Sequence, residues 1–97
     1  MTKSREIRQK ILKIMDLALK ISPPDRQRRD NEPTVFVNYA AHCSMLEVRI
    51  HKKGWARNSV PDKEFYILTD LDVSPEELDE IIEYLRNLRE DTENEQN

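Results

Sequence analysis

Ninety-seven residues, 37% hydrophobic and 36% charged, bound the chain to one small domain whose core is thin or completed by a partner. One cysteine excludes an internal disulfide, one glycine excludes the glycine-rich phosphate loops, and no apolar run is long enough to span a bilayer; with no leader-like segment, a soluble cytoplasmic protein is expected. The net charge of −3 hides an asymmetry: residues 1–63 carry 14 Lys/Arg against 7 Asp/Glu, and residues 64–97 carry 2 against 12, so the halves either attract each other or offer separate surfaces.

Residues 4–21 predict a helix. Ile7, Ile11, Ile14 and Ala18 form one stripe at spacings of three and four. Leu12, Met15 and Leu19 widen it on one side and Ile21 on the other, to about half the cylinder, beyond the usual stripe of roughly 100°. Such a helix is expected to be covered by its own sheet and by something else, a second copy of the chain included. Ser4 is the candidate N-cap, and Pro23-Pro24 stop the helix.

Residues 22–33 predict a loop. Its Arg26, Arg28 and Arg29 resemble an anion clamp, but Asp25, Asp30 and Glu32 blunt that charge, and a solvated linker is the better reading.

Two alternating runs follow, at 34–40 and 45–52, joined by a short link that suits a hairpin. In the second, Leu46, Val48 and Ile50 point one way and Glu47, Arg49 and His51 the other. After a connection over 53–62, residues 63–69 predict a third strand with Phe65 and Ile67 opposed to Tyr66 and Leu68. Both faces are apolar, which suits a central strand, whereas a simple meander centres the second strand. Sequence leaves that conflict and the orientation of the third strand open.

The last helix is well signed. Ser74, Pro75 and Glu77 fit N-cap, N1 and N3, and Asp72, Glu76 and Glu77 favour the positive end of the helix dipole. Leu78, Ile81, Ile82, Leu85 and Leu88 make the apolar stripe. Residues 91–97 hold no apolar side chain and are expected to be a disordered acidic tail beyond a single domain over 1–90. The fold expected is α+β, in the order α-β-β-β-α, with both helices on one face of a three-stranded antiparallel sheet.

Candidate chemistry centres on His42–Trp55, which holds both histidines, the cysteine and the tryptophan. A hairpin puts His42 and Cys43 at its turn and His51 about 30 Å away along the strand, too far for ligands that must meet within about 2.3 Å of one ion. Adjacent His42 and Cys43 point to opposite faces of a strand, which weakens a nucleophile–base pair. Asp70 and Asp72 open like a calcium loop, but Pro75 and Ile81 stand where that loop needs glycine and glutamate. No enzyme, metal or cofactor is therefore expected.

What remains is a surface. The uncovered sheet face would show Phe36, Asn38, Glu47, Arg49 and His51 with Tyr66 or Phe65, bordered by Lys52, Lys53, Trp55 and Arg57. Phe36, Arg49, His51, Lys53, Trp55 and Arg57 are the candidate partner-binding residues. Aromatics among cations can stack on unpaired bases, so single-stranded nucleic acid is the alternative to a protein partner.

The stretches "HCSMLEVRIHKKGW", "PDKEFYILTDLD" and "SPEELDEIIEYL" together resemble small bacteriophage and prophage proteins of helix–three-strand–helix pattern. The resemblance covers about residues 38–88 and transfers no functional residue. It implies a mobile-element origin and a binding role, with a host or phage protein as partner.

Overall fold

A computed structural model describes residues 2–22, 32–55, 57, 59–70 and 74–96. Helix α1 spans Thr2–Ile21, strands β1, β2 and β3 span Thr34–Ala40, Met45–His51 and Lys63–Leu68, and helix α2 spans Ser74–Gln96. The strands form one antiparallel sheet in the order β1-β2-β3, as the expected α+β fold requires. Arg26, Arg28, Arg29 and Asp72 lie outside the described residues, as does the Ser74 side chain.

The sheet's polarity follows from β2. Leu46, Val48 and Ile50 are sealed from solvent and pack with Ile14, Leu17 and Ile21 of α1 and Leu78, Ile81, Ile82, Leu85 and Leu88 of α2. Each such side chain contributes about 2 kcal/mol on leaving water. Val37 and Phe65 lie opposite Val48, and Ile67 opposite Leu46, so these share the covered side. That resolves the third strand: Phe65 and Ile67 face the helices, and Tyr66 and Leu68 face out. β3 is nevertheless an edge strand. Its second apolar face reflects a surface, not burial between layers.

The β1–β2 link holds a single 3-10 turn, Ala41–Cys43, closed by Ser44 in the left-handed region at φ 51°. The Ser44 carbonyl accepts bonds from both the backbone N–H and the hydroxyl of Thr69, which ties the turn to the end of β3.

An odd number of strands between the helices makes them parallel. Lys10 pairs with Asp79, and further along both helices the Arg89 charge reaches Asp16. Charges of the two halves thus meet at the helix pair, a base of the first on an acid of the second at Lys10–Asp79 and the reverse at Asp16–Arg89. The Lys10 ammonium is held above its ordinary 10.5, first by the hydrogen bond to Asp79; partial loss of water opposes this, and attraction from Asp79 and Glu6 adds to it. A raised lysine stabilises the fold fully below its unfolded value, and the contribution fades as pH climbs through the raised one. Lys10→Gln is therefore expected to melt lower than the wild type at about pH 9, with the gap closing toward about pH 12, in thermal scans followed by circular dichroism.

One expectation is corrected. α2 continues through Gln96, so residues 91–96 are helical and not a disordered tail. After Pro75 the chain offers no proline or glycine to stop the helix, and Arg86 and Glu90 stand four apart on its surface. The breadth of the α1 stripe is only partly used: Ile14, Leu17, Ala18 and Ile21 are buried, while Leu12, Met15 and Leu19 remain exposed.

Candidate functional site: the uncovered face of the sheet

The face away from the helices is built in rows across the strands. Phe36, Arg49 and Glu64 form one row, Asn38, Glu47 and Tyr66 the next, and Ala40, Met45 and Leu68 the third. Tyr66 is 54% exposed, and Leu68 is exposed beside it.

Arg49 is the centre of this face. Its guanidinium carbon lies 5.2 Å from the centroid of the Phe36 ring, and its Nε lies 3.2 Å from Glu47 Oε1, two residues away on the same side of the strand. That Nε is buried and makes no directed hydrogen bond, so the Glu47 contact is an ion pair held by proximity. Tyr66 donates its hydroxyl to Glu64 Oε2 at 3.2 Å. Partial loss of water raises the Tyr66 pKa above its ordinary 10.0, and the Glu64 hydrogen bond and the Glu64 and Glu47 charges add to this, so the phenol stays protonated at neutral pH.

His51 sits at the end of β2 opposite Thr34 and is only 4% exposed. Phe36 packs edge-on against it, with centroids 5.7 Å apart, and its Nδ1 shares a 3.3 Å hydrogen bond with Ser59 Oγ. Phe36 keeps part of its surface exposed, whereas His51 is buried. The histidine supports the ring that supports Arg49, and this takes it out of the expected contact set.

The remaining expected residues are set apart. Lys53, Trp55 and Arg57 are exposed in the connection after β2, and Trp55 shows 59% of its surface. Among the described residues no ring or cation contact joins Trp55 to Phe36. Lys52 turns the other way, its ammonium 5.5 Å from the Tyr84 ring on α2. Structure therefore gathers Phe36 and Arg49 with His51 beneath, and adds Tyr66, Leu68 and Met45, which the sequence reading did not single out as partner-binding residues. For Tyr66 and Leu68 the only signal was alternation in β3, which is symmetric in hydrophobicity; for Met45 it was its place at the start of β2, in step with Glu47 and Arg49.

The other histidine and the thiol lie elsewhere. His42 and Cys43 are exposed in the hairpin turn, beyond the opposite end of β2 from His51. Among the described residues no group of three or more His, Cys, Asp or Glu is placed to hold a metal ion, and no helix is long and apolar enough to cross a membrane.

The geometry suits contact more than phosphate capture. In the three rows the one cation, Arg49, is matched by Glu47 and faced across the strands by Glu64, so an approaching phosphate meets two carboxylates. No protein-family model matches the chain, and no curated protein or solved structure shows significant similarity to it.

Proposed function

We propose that the chain is a non-enzymatic accessory protein of phage or prophage type, acting in the cytoplasm by binding a protein partner through the uncovered sheet face. The observation that carries the binding role is the combination of exposed Tyr66 and Leu68 with an Arg49–Glu47 ion pair and a Glu64 carboxylate that accepts the Tyr66 hydroxyl. The only cation of these rows is already matched by a carboxylate, so Tyr66 and Leu68 can be covered without stranding an unpaired guanidinium, while exposed Glu64 keeps its hydrogen bond at the rim. Arg and Tyr are also the side chains most often found at energetic centres of interfaces. The phage and prophage attribution rests on the sequence resemblance over residues 38–88.

A photo-cross-linking amino acid at Tyr66 tests this reading, with the same group at exposed Glu80 on α2 as control. In lysate of the source organism, one protein adduct is expected at Tyr66 and not at Glu80. Leu68→Ser, which leaves the covered core untouched, should lower its yield by roughly tenfold, as loss of one good apolar contact does. Equal adducts at both positions sink the proposal. So does binding of single-stranded DNA through Arg49 that weakens steeply with added salt, the mark of the alternative reading.

A further inference from the structure

The two edges of the sheet are unlike. β3 begins with Lys63 and Glu64, charges that discourage a further strand, whereas β1, "TVFVNYA", has no charge and no proline. It pairs with β2 without interruption from Thr34 to Ala40.

Hydrogen bonding shows which backbone groups of β1 point outward. The N–H of Thr69 donates to the carbonyl of Ser44, so the even-numbered residues of β2 turn toward β3 and the odd-numbered ones toward β1. The partners of those odd residues are Ala40, Asn38, Phe36 and Thr34. Val35, Val37 and Tyr39 therefore present their N–H and C=O groups to the open edge. The N–H of Val35 is taken by Ser22 Oγ at 3.3 Å. Those of Val37 and Tyr39, one on each side of Asn38, have no protein acceptor among the described residues.

A second observation falls on the same flank. Lys10 marks the side of α1 that meets α2. Leu12, Met15 and Leu19 lie about 140–200° around the helix from it, on the side away from α2. Because α1 covers β1 and α2 covers β3, this exposed stripe overhangs the open edge of β1. Its centre, Met15, is about 10 Å of helix from Ser22, and Asn38 is about 10 Å of strand from Val35, which Ser22 holds. The middle of the stripe and the middle of the free edge lie level.

We infer that β1 pairs antiparallel with β1 of a second copy of this chain about a two-fold axis at Asn38, while the two Leu12–Met15–Leu19 stripes meet above the seam. Val37 of each copy then lies opposite Tyr39 of the other, and the two donors per copy that lack an acceptor among the described residues gain one without disturbing the Ser22 bond. Tyr39, 47% exposed in the single chain, is covered, and the two Asn38 amides face each other across the axis. An unrelated extended peptide would use the same donors, but it would leave the level, two-fold-compatible helix stripe without a purpose. The inference stands whether or not the outer face binds a protein; pairing would set two such faces side by side on one six-stranded sheet.

Sedimentation equilibrium on the full chain tests it. At the concentrations used for NMR the expected mass is twice 11.6 kDa. Met15→Lys, at an exposed helix position, is expected to weaken the dimer at least about tenfold. Tyr39→Pro should do the same while keeping the β1–β2 ladder, because the lost N–H points outward; circular dichroism checks that both variants fold. Asn38→Cys in a Cys43→Ser background should form an intermolecular disulfide under mild oxidation. A chain that stays monomeric, a dimer indifferent to Met15→Lys, or an Asn38→Cys protein that does not cross-link overturns the inference.

Discussion

Leu46→Ala is expected to lower the unfolding free energy by about 3 kcal/mol, read as a shift of the urea midpoint at unchanged slope. Leu46 is sealed from solvent at the centre of the sheet, between Tyr39 and Ile67, in the same cluster as residues of both helices. Truncation removes its transfer energy and leaves a cavity that two helices and two flanking strands cannot easily close. A domain of this size has only about 5–10 kcal/mol in total, so the loss is a large share of it. Leu68→Ala, on the same sheet but facing outward, should cost well under half as much. If the two substitutions cost the same, the assignment of inner and outer faces is wrong.

Gly54→Val should cost about 2 kcal/mol by the same measurement. Gly54 sits at φ 92°, beyond the left-handed well that asparagine or serine tolerates, and its N–H donates to the carbonyl of His51 at 3.2 Å. A β-branched side chain at that φ is a steric outlier, so the turn must open or the chain must strain. Opening releases the end of β2 just where Ser59 and Phe36 enclose His51. The imidazole resonances should therefore shift in Gly54→Val and stay fixed in a substitution at exposed Lys53. An unmoved His51 in a folded Gly54→Val protein would separate the turn from the site.

How much of this was legible in the sequence depends on the kind of signal. β2 was readable because every second residue from Leu46 to Ile50 is apolar and the intervening ones are charged, so one register alone buries the first set. α2 announced its start by Pro75 and Glu77 and its inner face by leucine and isoleucine at helical spacing. Its end was not readable, since a polar tail and a polar helix differ only in the absence of breakers, which hydrophobic patterning does not report. β3 stayed open for a different reason. Phe65 and Ile67 are as apolar as Tyr66 and Leu68, and only the pairing of Leu46 with Ile67 decides which pair turns inward. At the site, Phe36 and Arg49 followed from alternation along the strands. The withdrawal of His51 did not, because it depends on Ser59 returning from a later loop.

The helix pair also bears on the order in which the molecule assembles. All strand contacts are between neighbours in the chain, whereas Lys10 and Asp79, which join the helices, are 69 positions apart. The ribbon can thus zip up locally, but its greasy side stays wet until both extremities of the chain have come home, and closing that long loop carries the larger entropic cost. Neither extremity is an ornament: trimming either one leaves the middle strand half-roofed, and the remaining segment inherits the sticky surface that the intact chain conceals.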